Sequence, residues 1–211
     1  SAGLRLDYHH MLNNLQLNPR LGLIWNPLAS TTLKLLYSST FRAPNAWEQD
    51  YRASTDIANP INHAERIKSY ESLIEWRSSK GLRVVGDLFF NEMTDLLEQQ
   101  TGSDNAVTGL FTNIGHYHSL GVELETEQRW NSGRLLKATY TFSKVTNENE
   151  GGQWAKASPQ QLFKFHYAEP LLDNFATLGI EDLYVSDRKA LQSGYAKGYN
   201  LLNANLSSDQ L

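Results

Sequence analysis

The sequence predicts an all-β fold, an antiparallel up-and-down transmembrane β-barrel, with about ten strands in these residues. Three observations carry that prediction. Segment after segment alternates apolar and polar residues with the period of two that marks a strand. Short turns alternate with long polar connections, the rim asymmetry of outer-membrane barrels. Several segments exceed the usual 5 or 6 residues of a globular strand and reach the roughly 9 to 11 that a tilted strand needs to cross a bilayer.

Strands are expected at about 2 to 9, 18 to 25, 31 to 41, 67 to 78, 81 to 98, 110 to 129, 134 to 146, 160 to 168, 175 to 186 and 198 to 208. In the first, Leu4, Leu6 and Tyr8 alternate with Arg5 and Asp7, and Leu21, Leu23 and Trp25 mark the second. The third is the cleanest: Leu33, Leu35 and Tyr37 share one face, Lys34, Leu36 and Ser38 the other, and the parity carries on to Phe41 and Arg42. Pro44 removes a ladder donor and ends the pairing. Tyr70, Ile74 and Trp76 then oppose Glu71, Glu75 and Arg77, and Leu82, Val84, Leu88 and Phe90 oppose Arg83 and Asp87. Leu120, Val122 and Leu124 oppose Glu123 and Glu125. Leu136, Ala138, Tyr140 and Phe142 alternate with Lys137, and Phe163, Phe165 and Tyr167 with Lys164. No helix competes. The short connections at 26–30, 78–81, 130–133 and 169–174 carry the Gly, Pro, Asn or Ser that tight turns require. Those at 42–66, 99–109, 147–159 and 187–197 are long and polar.

Composition sets weaker bounds. With 211 residues, 40% hydrophobic and a net charge of -4, the chain fits one or two globular domains. The absence of cysteine excludes disulfide staples and thiolate metal sites. No basic excess points to nucleic acid. No apolar run approaches the length of a transmembrane helix, which leaves a barrel open because only every second residue of a barrel strand meets lipid. Periodicity leaves open which face that is, since a soluble barrel points its apolar row inward and a membrane barrel outward. Trp25, Tyr37, Phe41, Trp76, Phe90, Trp130 and Phe142 fall at or near expected strand ends, where interfacial girdles belong. The opposing row carries ions of both signs, too many for a dry core.

The stretch Phe41-Arg42-Ala43-Pro44, followed by Glu48, resembles the extracellular-rim motif of TonB-dependent outer-membrane receptors. Asn59, Pro60 and Glu65, then Ser69-Tyr70-Glu71, are similar to that family's next signature. Asn113-x-Gly115 and Gly121-Val122-Glu123-Leu124-Glu125 match two more, in the right order, over roughly residues 18 to 206. The resemblance implies a bacterial outer-membrane location and energised uptake of a ligand, an iron-siderophore complex by family habit. It implies contact with outer-membrane lipid, and with the TonB complex through an amino-terminal region. Neither the family's plug domain nor its final closing strands is recognisable, so residues 1–211 are read as part of the barrel domain alone. Such a portion, taken by itself, is expected to self-associate through unpaired edges.

Residues 42–66 are expected to contribute to ligand recognition through Trp47, Tyr51, Arg52 and Asp56, because the loop is long, polar and tethered at the mouth. Glu71, Glu75, Arg77, Glu123 and Glu125 are expected to line the lumen, with Arg42, Arg77 and Arg83 as cationic partners. No catalytic motif is present, so no enzyme is expected. No metal site is expected: His116 and His118 lie two apart, hence on one strand face, and are candidates for coordinating an ion, but they are read as solvent-facing histidines. Haem receptors of the family carry an axial histidine between the first two signatures, where residues 45–58 have none, so no cofactor is expected. Two other readings stand beside uptake: a passive pore or adhesive barrel, and a soluble sugar-binding β-domain.

Overall fold

A computed structural model describes residues 1–10, 12, 14–50, 63–101, 107–173 and 175–208. In chain order the strands are β1 (Ala2–His9), β2 (Asn14–Leu28), β3 (Thr31–Arg42), β4 (Glu65–Arg77), β5 (Leu82–Thr101), β6 (Val107–Arg129), β7 (Leu135–Asn147), β8 (Gln153–Trp154), β9 (Gln161–Leu171), β10 (Ala176–Val185), β11 (Arg188–Lys189), β12 (Tyr195–Ala196) and β13 (Tyr199–Ser207). The ten long strands form one antiparallel meander in sequence order. β8 extends the end of β7, and β11 with β12 makes a separate small hairpin. Among the described residues β1 and β13 are not paired to each other, so the sheet is an arc rather than a closed barrel.

Three expectations change. β2 begins at Asn14, because Leu15 and Leu17 continue the alternation opposite Tyr8 and Leu6. The loop expected at 99–109 is largely strand: β5 runs to Thr101 and β6 starts at Val107. A short helix, α1 (Ala46–Asp50), follows Pro44, and a 3-10 turn spans Glu148–Glu150.

Residues directly opposite in a ladder share a face, so the register decides whether the separate alternations form one surface. They do. Leu21 pairs with Tyr37, Tyr37 with Tyr70, Tyr70 with Phe90 and Phe90 with Leu120. Leu88 pairs with Val122 and Val122 with Phe142, while Leu124 continues through Tyr140 and Phe163 to Tyr184. The apolar face is the exposed one. Leu6 is 62% exposed, Leu88 60% and Leu120 61%, whereas Gln16, Asn18, Ser119 and the carboxylate-bearing Glu75 of the polar face are buried. A domain folding in water around a dry core reverses that distribution.

An aromatic row bounds the apolar band toward the long connections. Tyr37 and Tyr70 lie 5.0 Å apart between ring centroids, Tyr70 and Phe90 6.1 Å, and Phe90 and His118 5.3 Å. Trp25, Trp76 and Trp130 stand toward the short turns. The girdle residues are thus not always strand ends: β5 continues past Phe90 and β7 past Phe142, because these strands outrun the apolar band.

Two glycines set close approaches. Gly81 has φ +82°, and a Cβ there falls 2.3 Å from the Arg129 carbonyl oxygen. It closes the turn between β4 and β5 against the end of β6. Gly121 lies beneath the Phe89 ring, where a Cβ meets the ring at 2.3 Å and the Phe142 carbonyl oxygen at 2.4 Å.

Candidate functional site: the loop-side rim and the polar face

The end of β3 and the start of β4 are tied together by one guanidinium. Arg42 donates to both oxygens of Glu48 at 3.0 Å and, through Nε, to Glu65. Glu48 belongs to α1, whose start is held by reciprocal capping: Asn45 Oδ1 accepts from the Glu48 amide at 2.9 Å, and Glu48 Oε2 accepts from the Asn45 amide at 2.8 Å. This Asn-x-x-Glu box follows the logic of a Ser/Thr capping box. Glu65 Oε1 accepts from the Leu97 amide of β5 at 2.8 Å, which extends the knot to a third strand. Pro44 is fully buried beneath it and Ala43 is half-buried, while Phe41 sits on the apolar face opposite Arg66.

These groups lie beyond the aromatic row, outside the apolar band. Burial pushes the Glu65 carboxyl up, but the Arg42 guanidinium and the Leu97 amide outweigh it and hold Glu65 below the usual carboxylate value. Hydrogen bonds to Glu65 and Glu48 raise Arg42 further. Both ions are therefore fixed charges at neutral pH.

Asn113 completes the rim. Its Oδ1 accepts from the His63 amide at 2.6 Å, and its Nδ2 donates to the His63 carbonyl at 3.0 Å and the Asp95 carbonyl at 2.6 Å. Asp95 has φ +57° at an irregularity in the pairing of β5 with β6. Gly115 faces the same irregularity, and a Cβ there falls 2.7 Å from that of Leu96. Arg42, Pro44, Glu48, Glu65, Asn113 and Gly115 thus converge from distant parts of the chain, whereas Asn59 and Pro60 lie outside the described residues.

On the polar face, Glu75 bonds to Arg77 and lies 3.6 Å from Arg83, which also bonds to Glu125. Lys137 reaches Glu125 at 3.0 Å, so this ion network crosses β4, β5, β6 and β7. Glu123 accepts from Thr141 at 3.1 Å and stands opposite Asp87, with Glu71 on the same face. Arg77 and Arg83 are partners of these acids. Arg42 pairs instead with Glu48 and Glu65, because the polar face it shares with these acids has reached the rim at the end of β3.

Of the four residues expected to meet ligand, Trp47 is exposed on α1; Tyr51, Arg52 and Asp56 lie outside the described residues. Sequence reading missed a second group at the same end. The Ala157 amide donates to the Lys189 carbonyl at 2.9 Å, docking two long connections. The Trp154 ring lies 6.0 Å from Tyr195, with the Lys189 ammonium 6.0 Å from its centroid. An aromatic and basic residue in polar loops is the only sequence signal, and only the docking brings them together. His116 and His118 fall on the apolar-side face of β6, just past the aromatic row, with Glu92 of β5 beside them.

The geometry agrees with the comparisons. A family model described as "TonB dependent receptor-like, beta-barrel" matches residues 1–209. Among solved structures, the ferric enterobactin receptor of Pseudomonas aeruginosa in complex with enterobactin superposes with a TM-score of 0.80 at 17% identity, covering 100% of this chain and 35% of that one. The ferric-catecholate import receptor Fiu of E. coli gives 0.71 at 17% identity, covering 94% and 29%. The ferripyoverdine receptor of the outer membrane of Pseudomonas aeruginosa, bound to ferripyoverdine, gives 0.68 at 15%, covering 93% and 27%. The chain therefore spans about a third or less of the length of these receptors. No curated protein sequence matches.

Proposed function

We infer, from the premise that this chain belongs to the TonB-dependent receptor β-barrel family of the bacterial outer membrane, a family of receptors rather than enzymes, that it supplies wall and mouth to an importer. The transported ligand is an iron-siderophore complex, and the energy comes from the TonB complex acting through a region amino-terminal to the barrel. The observation that carries this reading is the exposed apolar band between two aromatic rows, backed by a polar face crossed by ion pairs. Lipid is the medium that makes such a band stable, and a water-filled or plugged lumen is the medium that accepts the ions. The exposed band also removes the soluble sugar-binding reading.

Two features support the siderophore class. The fold matches include a ferric-catecholate import receptor and a ferripyoverdine receptor. The mouth also offers aromatic and cationic groups, Trp47, Trp154, Tyr195 and Lys189, suited to flat, anionic iron chelates. Replacing Trp47, Tyr51, Arg52 and Asp56 together with alanine in the full-length receptor tests the loop. The expected result is weakened binding of a ferric catecholate probe and slowed uptake of radiolabelled iron. Unchanged affinity and uptake would remove these residues from the recognition surface. Import that persists when the proton-motive force is collapsed would favour the passive-pore reading.

A further inference from the structure

We propose that Glu92, His116 and His118 form a binding site for one divalent transition-metal ion of the zinc class on the outer wall, outside the lumen and distinct from any cargo path. One nitrogen or oxygen from each of the three lies within 4.8 Å of the others. Small side-chain rotations bring such a set to the roughly 2.0 to 2.2 Å bonds of zinc with imidazole and carboxylate. Two imidazoles and one carboxylate are a borderline-soft donor set that favours zinc-class ions over calcium or magnesium.

The positions follow from the ladder. Glu92 and His118 are directly opposite across β5 and β6, and His116 is two residues on, hence on the same face. The two imidazole rings meet edge to face with centroids 5.0 Å apart. Two contacts and one unpartnered atom prepare the donors. His118 Nδ1 lies 3.2 Å from Glu148 Oε1, the carboxylate–histidine arrangement that places the proton on Nδ1 and leaves the Nε2 lone pair for a metal. Among the described residues His116 Nε2 is buried without a hydrogen-bond partner, a polar atom whose isolation costs free energy until something fills it. Lys68 Nζ holds Glu92 Oε2 at 2.9 Å, which orients the carboxylate and leaves Oε1 for the ion.

Three protein donors leave a fourth position for water. The ion would join β5 to β6 and, through Glu148, to the connection after β7. The site stands immediately past Phe90 in the aromatic row, so it faces the boundary between lipid and water rather than the ligand mouth.

The test uses tag-free, full-length receptor folded in detergent, titrated with Zn2+ by calorimetry and with Co2+ by its ligand-field absorption. The expected result is one ion per receptor with a four-coordinate cobalt spectrum. His116→Ala and His118→Ala should each weaken zinc binding by about 100-fold or more, and Glu148→Gln by about 10- to 100-fold, the usual effect of losing an orienting partner. His166→Ala, on another strand, should leave it unchanged. Heat-modifiable gel mobility confirms that each variant is folded. Zinc affinity unchanged in the folded His116→Ala/His118→Ala double variant, or no zinc binding by the parent receptor, would overturn the proposal.

Discussion

Arg42→Ala should loosen the rim without unfolding the wall, and its size follows from the contacts. The guanidinium makes two bonds of 3.0 Å to Glu48 and one to Glu65, with its own side chain 49% exposed and the two carboxylates 13% and 12% exposed. A hydrogen bond to a charged group contributes about 1.5–3 kcal/mol when shielded, but half-exposure of the cation discounts this toward the surface-pair range. Each acid also keeps one backbone donor, the Asn45 amide for Glu48 and the Leu97 amide for Glu65. A net local loss of about 2 kcal/mol is expected, a roughly 30-fold rise in the opening equilibrium. Hydrogen–deuterium exchange on the full receptor reads it directly. The Glu48 amide bonds Asn45 Oδ1, the Gln49 amide bonds the Asn45 carbonyl, and the Leu97 amide bonds Glu65. All three should exchange faster, while amides of β4 and β5 between Tyr70 and Trp76 and their partners should not. Unchanged exchange at Glu48, Gln49 and Leu97 would show that Arg42 is not the tie.

Acid should act on the same knot. The folded pKa of Glu65 is depressed, so its contribution is complete above the ordinary carboxylate value and is lost as pH falls through that value to the folded one; Leu97 exchange, corrected for intrinsic rates, should rise across that window and stay flat above it. Gly121→Ala should cost about 1–3 kcal/mol by overpacking against Phe89 and the Phe142 carbonyl, seen as a lower urea midpoint in lipid vesicles; an unchanged midpoint would mean the ring moves aside freely. The 211-residue chain refolded alone should self-associate, because β1 and β13 each present one edge unpaired among the described residues; a monodisperse monomer in light scattering would contradict this.

Most of the wall was legible in the sequence because a strand's face is set by a period of two, and Leu120-x-Val122-x-Leu124 against Glu123 and Glu125 states it without help. Alternation alone does not give the direction of that face, since it looks the same whether the apolar row meets a core or lipid; aromatics near strand ends and the ions of both signs opposite them are the sequence signals that point to lipid. Exposure of Leu88 and Leu120 beside burial of Glu75 decides it. Strand ends were misjudged where polar sequence continued the ladder, as in β5 and β6 beyond the apolar band: backbone pairing there no longer needs apolar side chains, so hydropathy carries no signal. At the rim, local chemistry announced an interruption at Pro44, and the family resemblance singled out Arg42, Glu48, Asn113 and Gly115. Their mutual contacts depend on register between β3, β4, β5 and β6, which no single stretch encodes. The Asn45-x-x-Glu48 box was readable locally and went unread because helix was not expected in a strand protein.

A membrane wall requires that the row containing Val122 and Leu124 meet lipid and the row containing Glu123 and Glu125 meet the lumen. Assembly of the full receptor into lipid vesicles, followed by heat-modifiable gel mobility, tests it with neighbouring residues of one strand as mutual controls. Leu124→Arg should cost about 2–4 kcal/mol near the midplane and strongly impair assembly, with Val122→Arg behaving alike. Glu123→Gln, which keeps an acceptor for Thr141, should assemble normally. Assembly that tolerates both arginines but fails with Glu123→Gln would show the apolar row facing inward, away from lipid.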